Sequence, residues 1–347
     1  MRKGFARKGS GPKALPEAWS NALTLVAGIV GILLLVAAWG CSRAAIVKVD
    51  GSSTVFPITE AMAEEFQRKY GDFRVTVGIS GTGGGFKKFC NGEIHIADAS
   101  RPIKSVEVNA CALEGIDYIE LPVAFDGLTI IVNPENDWVD HLTVEELREI
   151  WKPGSTIRKW SDVRPSWPDR DIYLVGAGTD SGTFDYFTKA IVGEEGASRP
   201  DYTASEDDNV LVQAVAGEKY ALGYLPFAYY EENPHRLKLV PVDPGTGPVA
   251  PSPATINNGT YIPLSRPIFI YVNSQAAQRP EVRDFVRFYL SSENGIFLRE
   301  VGYVAFPEHI YRLALQRFER GITGSVFGGK GSQVGVSIED LLEREAK

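Results

Sequence analysis

The chain has 347 residues, with 36 lysine and arginine against 44 aspartate and glutamate, a formal net charge of −8 at pH 7. That balance excludes a nucleic-acid binder, which needs a basic face for phosphate contacts. The four histidines, His95, His141, His235 and His309, stand isolated without metal-ligand spacing, so no metal or other cofactor is expected.

The N-terminus carries Arg2, Lys3, Arg7, Lys8 and Lys13, then an uncharged apolar run over residues 22–39, then Gly40-Cys41-Ser42. A basic leader, an apolar stretch and a cysteine read as an export signal. In the lipoprotein form Cys41 is lipidated and becomes the mature N-terminus, although Ala38 and Trp39 stand where that pattern has leucine and a small residue. An uncleaved anchor is the other reading, since the run is long enough to span a bilayer. Both place the folded part in the periplasm or on the cell surface, anchored to the membrane. Residues 1–41 hold five basic residues and one acidic one; removing them leaves 31 against 43, a net −12. Such a surface repels anions at long range, so anion affinity must come from local donors. With Cys41 assigned to lipid, Cys90 and Cys111 remain as a pair that can form a disulfide in an oxidising compartment. Two buried thiols that never meet are the alternative.

From residue 46 the pattern alternates strand and helix. Residues 46–49 read as a strand, 58–70 as a helix, 74–79 as a strand and 86–91 as the start of a helix. Short apolar runs follow at 94–97, 118–123 and 128–132, a helix at 144–151 and a strand at 172–175. After the Pro/Gly-rich stretch 241–267 come a strand at 268–272 and helices at 281–291 and 310–320. The expected fold is α/β with mostly parallel sheets flanked by helices. The irregular stretches 152–171 and 241–267 bracket a second domain. Expected domains are the 1–41 segment, a discontinuous lobe 1 (45–126 plus 265–347) and lobe 2 (127–264), closing over a ligand through crossings near 124–128 and 262–268.

Three Gly/Ser/Thr-rich turns each sit between a strand-like and a helix-like stretch: Gly51-Ser52-Ser53-Thr54, Ser80-Gly81-Thr82-Gly83-Gly84-Gly85 and Gly178-Thr179-Asp180-Ser181-Gly182-Thr183. Such turns present backbone N–H groups and hydroxyls at helix N-termini, which bind oxyanions without a basic residue. Three of one kind suggest a small tetrahedral anion held by converging helix ends. Enzyme signatures fail by comparison. Gly78-Ile79-Ser80-Gly81-Thr82 lacks the last glycine of a serine elbow. The turn ending at Gly85 runs into Phe86-Lys87-Lys88, without the Ser or Thr of a P-loop, and Gly176-Ala177-Gly178 places the final glycine of a dinucleotide fingerprint one position late, at Gly182. Glu206-Asp207-Asp208 reads as a solvated loop.

The segments GSSTVFP (51–57), ISGTGGGFK (79–87), IADASRPIK (96–104), AGTDSGTFDYF (177–187) and ALGYLPF (221–227) resemble the phosphate-binding protein of the bacterial Pst ABC transporter, in its cyanobacterial-type branch. The resemblance runs from about residue 47 to 306. It implies a two-lobed periplasmic binding protein type II fold, monomeric, which captures inorganic phosphate between its lobes and delivers it to permease subunits without catalysis. Carried over position by position, it implies anion contacts from the Thr54 hydroxyl, the N–H groups of Val55 and Phe56, Thr82 with the N–H of Gly83, and Ser181, Gly182 and Thr183. Two charged positions depart from the family pattern: Arg101 stands where an aspartate is usual and Ala177 where an arginine is usual. Arg101 is then expected to supply the cation, as a bidentate fork, and Asp180 to accept the proton that phosphate retains and sulfate lacks. Alternatives are a surface salt bridge for Arg101, a helix cap for Asp180, another oxyanion (sulfate, molybdate, tungstate) as ligand, and an exported phosphoryl- or acyl-transfer enzyme using Ser181, for which no base is identifiable.

Overall fold

The computed structural model describes Met1 and residues 45–333 and 338–346. The leader and Cys41 lie outside the described residues. No helix among those described is long and apolar enough to cross a membrane.

Strand β1 (Ala45–Gly51), helix α1 (Phe56–Lys69), β2 (Phe73–Ile79), α2 (Gly81–Cys90), β3 (Ile96–Ala99) and α3 (Ser105–Leu113) lead into the long strand β4 (Tyr118–Val132). Then come α4 (Val144–Trp151), β5 (Tyr173–Ala177), α5 (Gly182–Phe187), β6 (Thr203–Ser205), α6 (Asp208–Gly217), β7 (Ala221–Pro226) and β8 (Lys238–Val240). Strand β9 (Ser265–Asn273) brings the chain back, followed by α7 (Pro280–Tyr289), α8 (Glu308–Glu319) and α9 (Ile338–Ala346). The strands form one continuous sheet in the order β2-β1-β3-β9-β4-β7-β5-β6, with β8 also paired to β4.

Each end of this sheet is parallel (β1 with β2 and β3; β5 with β6 and β7), as the alternating pattern implies. The middle is antiparallel, because β4 and β9 carry the chain between lobes in opposite directions. Hydrophobic burial divides accordingly. One cluster gathers residues 47–124 and 268–342 with Ala228, forming lobe 1. Two others draw on residues 128–264, with Val304 reaching across, forming lobe 2. The lobe 2 core is aromatic: Trp151 meets Phe187 and Tyr224 edge-on, and Trp160 meets Trp138 and Trp167 likewise. Of these six rings, Trp160 and Trp167 come from the irregular stretch 152–171.

Local sequence explains most element ends. In α1, Pro57 sits in the first turn, Arg68 and Lys69 in the last, and Ile58, Met62 and Phe66 line the buried face at helical spacing. In α4, Thr143 and Glu146 form a capping box. Two elements differ from expectation. Helix α2 starts at Gly81 rather than near Phe86, so the glycine-rich turn is itself helical. A Cβ at Gly85 would lie 2.6 Å from the Gly51 Cα, so close packing on β1 overrides the poor helix propensity of glycine. The runs at 118–123 and 128–132 are one strand. Pro122, which has no N–H for the ladder, is absorbed where the register with β9 shifts between Ile268 and Phe269.

Cys90 and Cys111 form a disulfide joining the end of α2 to α3. The loop it closes spans a sequence separation of 21, for which restriction of the unfolded chain is worth ~3 kcal/mol. Reduction is expected to lower the unfolding free energy by about that amount, read as a lower urea midpoint and a steeper slope, because the reduced unfolded chain is less compact. Unreduced protein carrying two alkylatable thiols at these positions, or a midpoint indifferent to reductant, would contradict the pairing.

Candidate functional site

The first and third turns meet between the lobes. Thr54, at the entry to α1, places its Oγ1 3.0 Å from the Oγ1 of Thr183, at the start of α5. Both side chains are fully buried. Arg266, from β9, donates to both hydroxyls: its Nη2 lies 2.8 Å from Thr183 Oγ1 and 3.5 Å from Thr54 Oγ1. Its Nη1 donates to the Gly182 carbonyl at 2.8 Å. Nε and Nη2 clasp Asp126 Oδ2, on the opposite crossing strand, at 3.0 and 2.9 Å. Arg266 and Asp126 are register partners where β4 and β9 pass between lobes. Only 1% of each side chain is exposed. Burial raises the Asp126 carboxyl above its ordinary range, although Arg266 and the amides of Gly127 and Phe227 oppose the rise.

The second turn joins the same cluster. Thr82 Oγ1 accepts the Ser100 N–H at 3.2 Å and lies 3.2 Å from Ser100 Oγ. Gly182 packs directly on both: a Cβ there would stand 2.5 Å from Ser100 Oγ and 2.7 Å from Thr82 Oγ1. Only glycine permits that approach. The three turns therefore converge on one buried patch of hydroxyls with a guanidinium beneath it, which suits a small oxyanion.

Several expected contacts are arranged otherwise. The N–H groups of Val55 and Phe56 close their own turn on the Ser52 carbonyl. The Gly83 N–H donates across the cleft to the Asp180 carbonyl at 2.8 Å, and the Thr183 N–H to Ser181 Oγ at 3.1 Å. Ser181 is thus the cap of α5. Asp180 is exposed at the rim, its N–H donating to Glu206 and its Oδ1 3.6 Å from where a Cβ at Gly83 would stand. Arg101 is buried but its fork is spent: Nη1 and Nη2 each donate to Glu107 at 2.7 Å, and Nε donates to Asp185 Oδ2 at 2.6 Å. Arg101 is therefore neither a surface salt bridge nor an unpaired cation. The cation over the hydroxyls is Arg266, which the motif reading missed. A signal was available, since Arg266 is the one charge in the apolar β9 and Asp126 shares the apolar β4 only with Glu120.

Asp208 also departs from expectation. It is fully buried at the start of α6 rather than solvated, and Ser53 Oγ donates to its Oδ2 across the cleft at 2.7 Å. Asp207 caps the helix, accepting the Asn209 N–H. Tyr229 donates to the Ser53 carbonyl at 2.9 Å, and Tyr303 to the carbonyl of Thr54, holding the first turn from both lobes.

Residues 36–293 match the PBP superfamily domain. Protein SphX of Synechococcus elongatus is 53% identical over 307 residues, covering 88% of this chain and 90% of that one. The phosphate-binding protein PstS of Staphylococcus saprophyticus is 40% identical over 267 residues, covering 76% and 82%. The chain belongs to the PstS family, in its SphX-like branch. Among solved structures, a substrate-binding protein assigned to a phosphate ABC transporter of Clostridium perfringens, determined with phosphate bound, is 26% identical, with a TM-score of 0.65 over 76% of this chain and all of that one.

Within this two-lobed family fold, the Ser53–Asp208 contact has a pH signature. Burial, reinforced by the neighbouring Asp126 charge, pushes the Asp208 carboxyl up to about 7. An unfolded aspartate titrates near ~3.9. Between those values the native state binds more protons, so this group's contribution is complete below about pH 4 and is lost as pH rises through about 7. Asp208→Asn retains an acceptor for Ser53 and removes the titration. Its unfolding free energy is expected to fall less than the wild type's between about pH 5 and pH 8. Parallel stability curves in urea titrations at both pH values would contradict the assignment.

Proposed function

We propose that this protein is an extracytoplasmic receptor which captures inorganic phosphate between its lobes and hands it to an ABC importer. The carrying observation is the buried Arg266 guanidinium, which donates to the Thr54 and Thr183 hydroxyls where turns of both lobes converge. Family membership supports the transport role, and the phosphate held by the Clostridium relative supports the ligand. The export-type leader and the Cys90–Cys111 disulfide suit an oxidising compartment outside the cytoplasmic membrane. A membrane tether through Cys41 or the apolar run, and action as a monomer, belong to the same reading.

In this reading the lobes divide at 126/127 and 264/265, both on the lobe 2 side of the Asp126–Arg266 register pair. Bound phosphate inserts among Thr54, Thr82, Ser100, Ser181 and Thr183, exchanging their mutual hydrogen bonds for bonds to its oxygens. Gly83, Gly182 and the amides of Val55 and Phe56 shape the turns that hold these hydroxyls. Arg266 balances the anion's charge. Asp126 is placed to accept the hydrogen bond that monohydrogen phosphate donates through its retained proton, which fully ionised sulfate cannot donate.

Binding rather than catalysis fits the surroundings of Ser181. Its Oγ is engaged as a cap, and His95, His141 and His309 have their partners elsewhere, on Lys48 and Arg279, on Asp140 and Arg164, and on Glu339.

Titration calorimetry of the wild type is expected to show one phosphate site that excludes sulfate. Thr183→Val should weaken phosphate by about tenfold, the worth of one charge-assisted bond. Asp180→Asn, an exposed change, should leave both affinity and the phosphate-to-sulfate ratio within about twofold. Wild-type protein that prefers sulfate or molybdate would overturn the ligand. An Asp180→Asn variant that admits sulfate would return the proton-accepting role to Asp180.

A further inference from the structure

We propose that the C-terminal strap, residues 326–332, is a clasp which holds the closed state, with Glu195 as its counterpart on lobe 2. The inference rests on the phosphate-binding reading but concerns residues remote from the Arg266 cluster. The strap also lies beyond the 36–293 stretch that matches the family domain.

The strap is anchored to lobe 1 along its length. Gly324 N–H donates to the Tyr118 carbonyl at 2.8 Å and Val326 N–H to the buried Glu120 carboxyl at 2.9 Å. Phe327 packs edge-on against Phe269, with ring centroids 5.6 Å apart. Lys330 bridges Lys104 in antiparallel fashion, Gly331 N–H donates to the Ile103 carbonyl at 3.1 Å, and Ser105 Oγ donates to the Gly329 carbonyl at 2.8 Å. Beyond the strap, Ile338 and Leu342 of α9 are buried in the lobe 1 core.

Across the cleft, Glu195 lies in the turn after α5, on lobe 2. Its Oε2 accepts the Ser332 N–H at 3.3 Å, and its Oε1 lies 2.7 Å from Lys104 Nζ. The same ammonium reaches Asp185 Oδ2 at 2.7 Å, which also accepts from Arg101. Lobe 1 thus presents two cations and a backbone donor, and lobe 2 two carboxylates. The Glu195 side chain is 19% exposed, Lys104 30% and Asp185 5%, so these pairs are partly shielded from solvent. They exist only while the lobes are together, because each joins a residue of one lobe to a residue of the other. An interaction made only in the closed state shifts the opening equilibrium and slows ligand escape without touching the ligand. Glu195 is therefore a positioning residue for phosphate retention.

The test uses the full chain and inorganic phosphate, comparing wild type with Glu195→Gln and Lys104→Met. Association is followed by rapid mixing, dissociation by a phosphate trap, and stability by urea unfolding. Loss of one partner of a partly shielded charge pair acts mainly on dissociation, so Glu195→Gln should release phosphate about tenfold faster with little change in association rate or unfolding midpoint. Lys104→Met should act in the same direction, and Glu195→Asp should recover part of the retention. An unchanged dissociation rate in both Glu195→Gln and Lys104→Met would overturn the clasp. So would a faster rate accompanied by a proportionate loss of folding stability, which indicates a structural role alone. Wild type that binds no phosphate would defeat the functional reading instead. The clasp would then be judged by small-angle scattering without ligand: a larger radius of gyration in Glu195→Gln supports it, and an identical one overturns it.

Discussion

The Arg266–Asp126 pair is the constraint on which the rest of this molecule depends. Two charges lie across from one another on the strands that pass between lobes, at a depth where neither meets water. Burying such a pair is costly unless every donor is used. Here Asp126 takes two of the guanidinium's N–H groups, and the remainder reach the Gly182 carbonyl and the Thr54 and Thr183 hydroxyls. The cation is thereby fixed at the one place where both lobes can contribute to its surroundings. The turns before α1 and α5 must come to it. Gly182, with no room for a Cβ beside Ser100 and Thr82, is what lets them do so.

This geometry reconciles an acidic surface with an anionic ligand. Residues 42–347 carry a net −12 and gain nothing from long-range attraction. Affinity has to be local, and a guanidinium already oriented by a carboxylate loses little freedom on meeting an anion. Arg101, also buried, is committed to Glu107 and Asp185. It belongs to the charge network that joins the lobes rather than to the hydroxyl cluster. In the proposed reading Arg266 serves the ligand and Arg101 serves closure, a division of labour that a list of basic residues does not reveal.

Much of this was legible in the chain. The alternation of apolar and amphipathic runs led to α/β lobes, the three Gly/Ser/Thr turns marked where the lobes meet, and Cys90 with Cys111 stood out once Cys41 was set aside. What stayed hidden has a common physical cause. Register between distant strands decides that Arg266 faces Asp126, and no local window contains both. Burial decides that Asp208 is a held carboxyl while Asp180, inside the better motif, is exposed. Hydrogen-bond geometry decides that the Val55 and Phe56 amides close their own turn, although composition alone makes them look free. Position within a motif identified the turns that converge but not the atoms within them that are exposed, engaged or charged.

The central claim is that the anion sits on Arg266 between the first and third turns. A crystal structure of the phosphate complex tests it most directly. The account predicts a phosphorus atom about 4 Å from the Arg266 guanidinium carbon, with phosphate oxygens within about 3 Å of the Thr54 and Thr183 hydroxyls and Arg101 still paired with Glu107. Phosphate found against Arg101, with Glu107 displaced and Arg266 untouched, would contradict it.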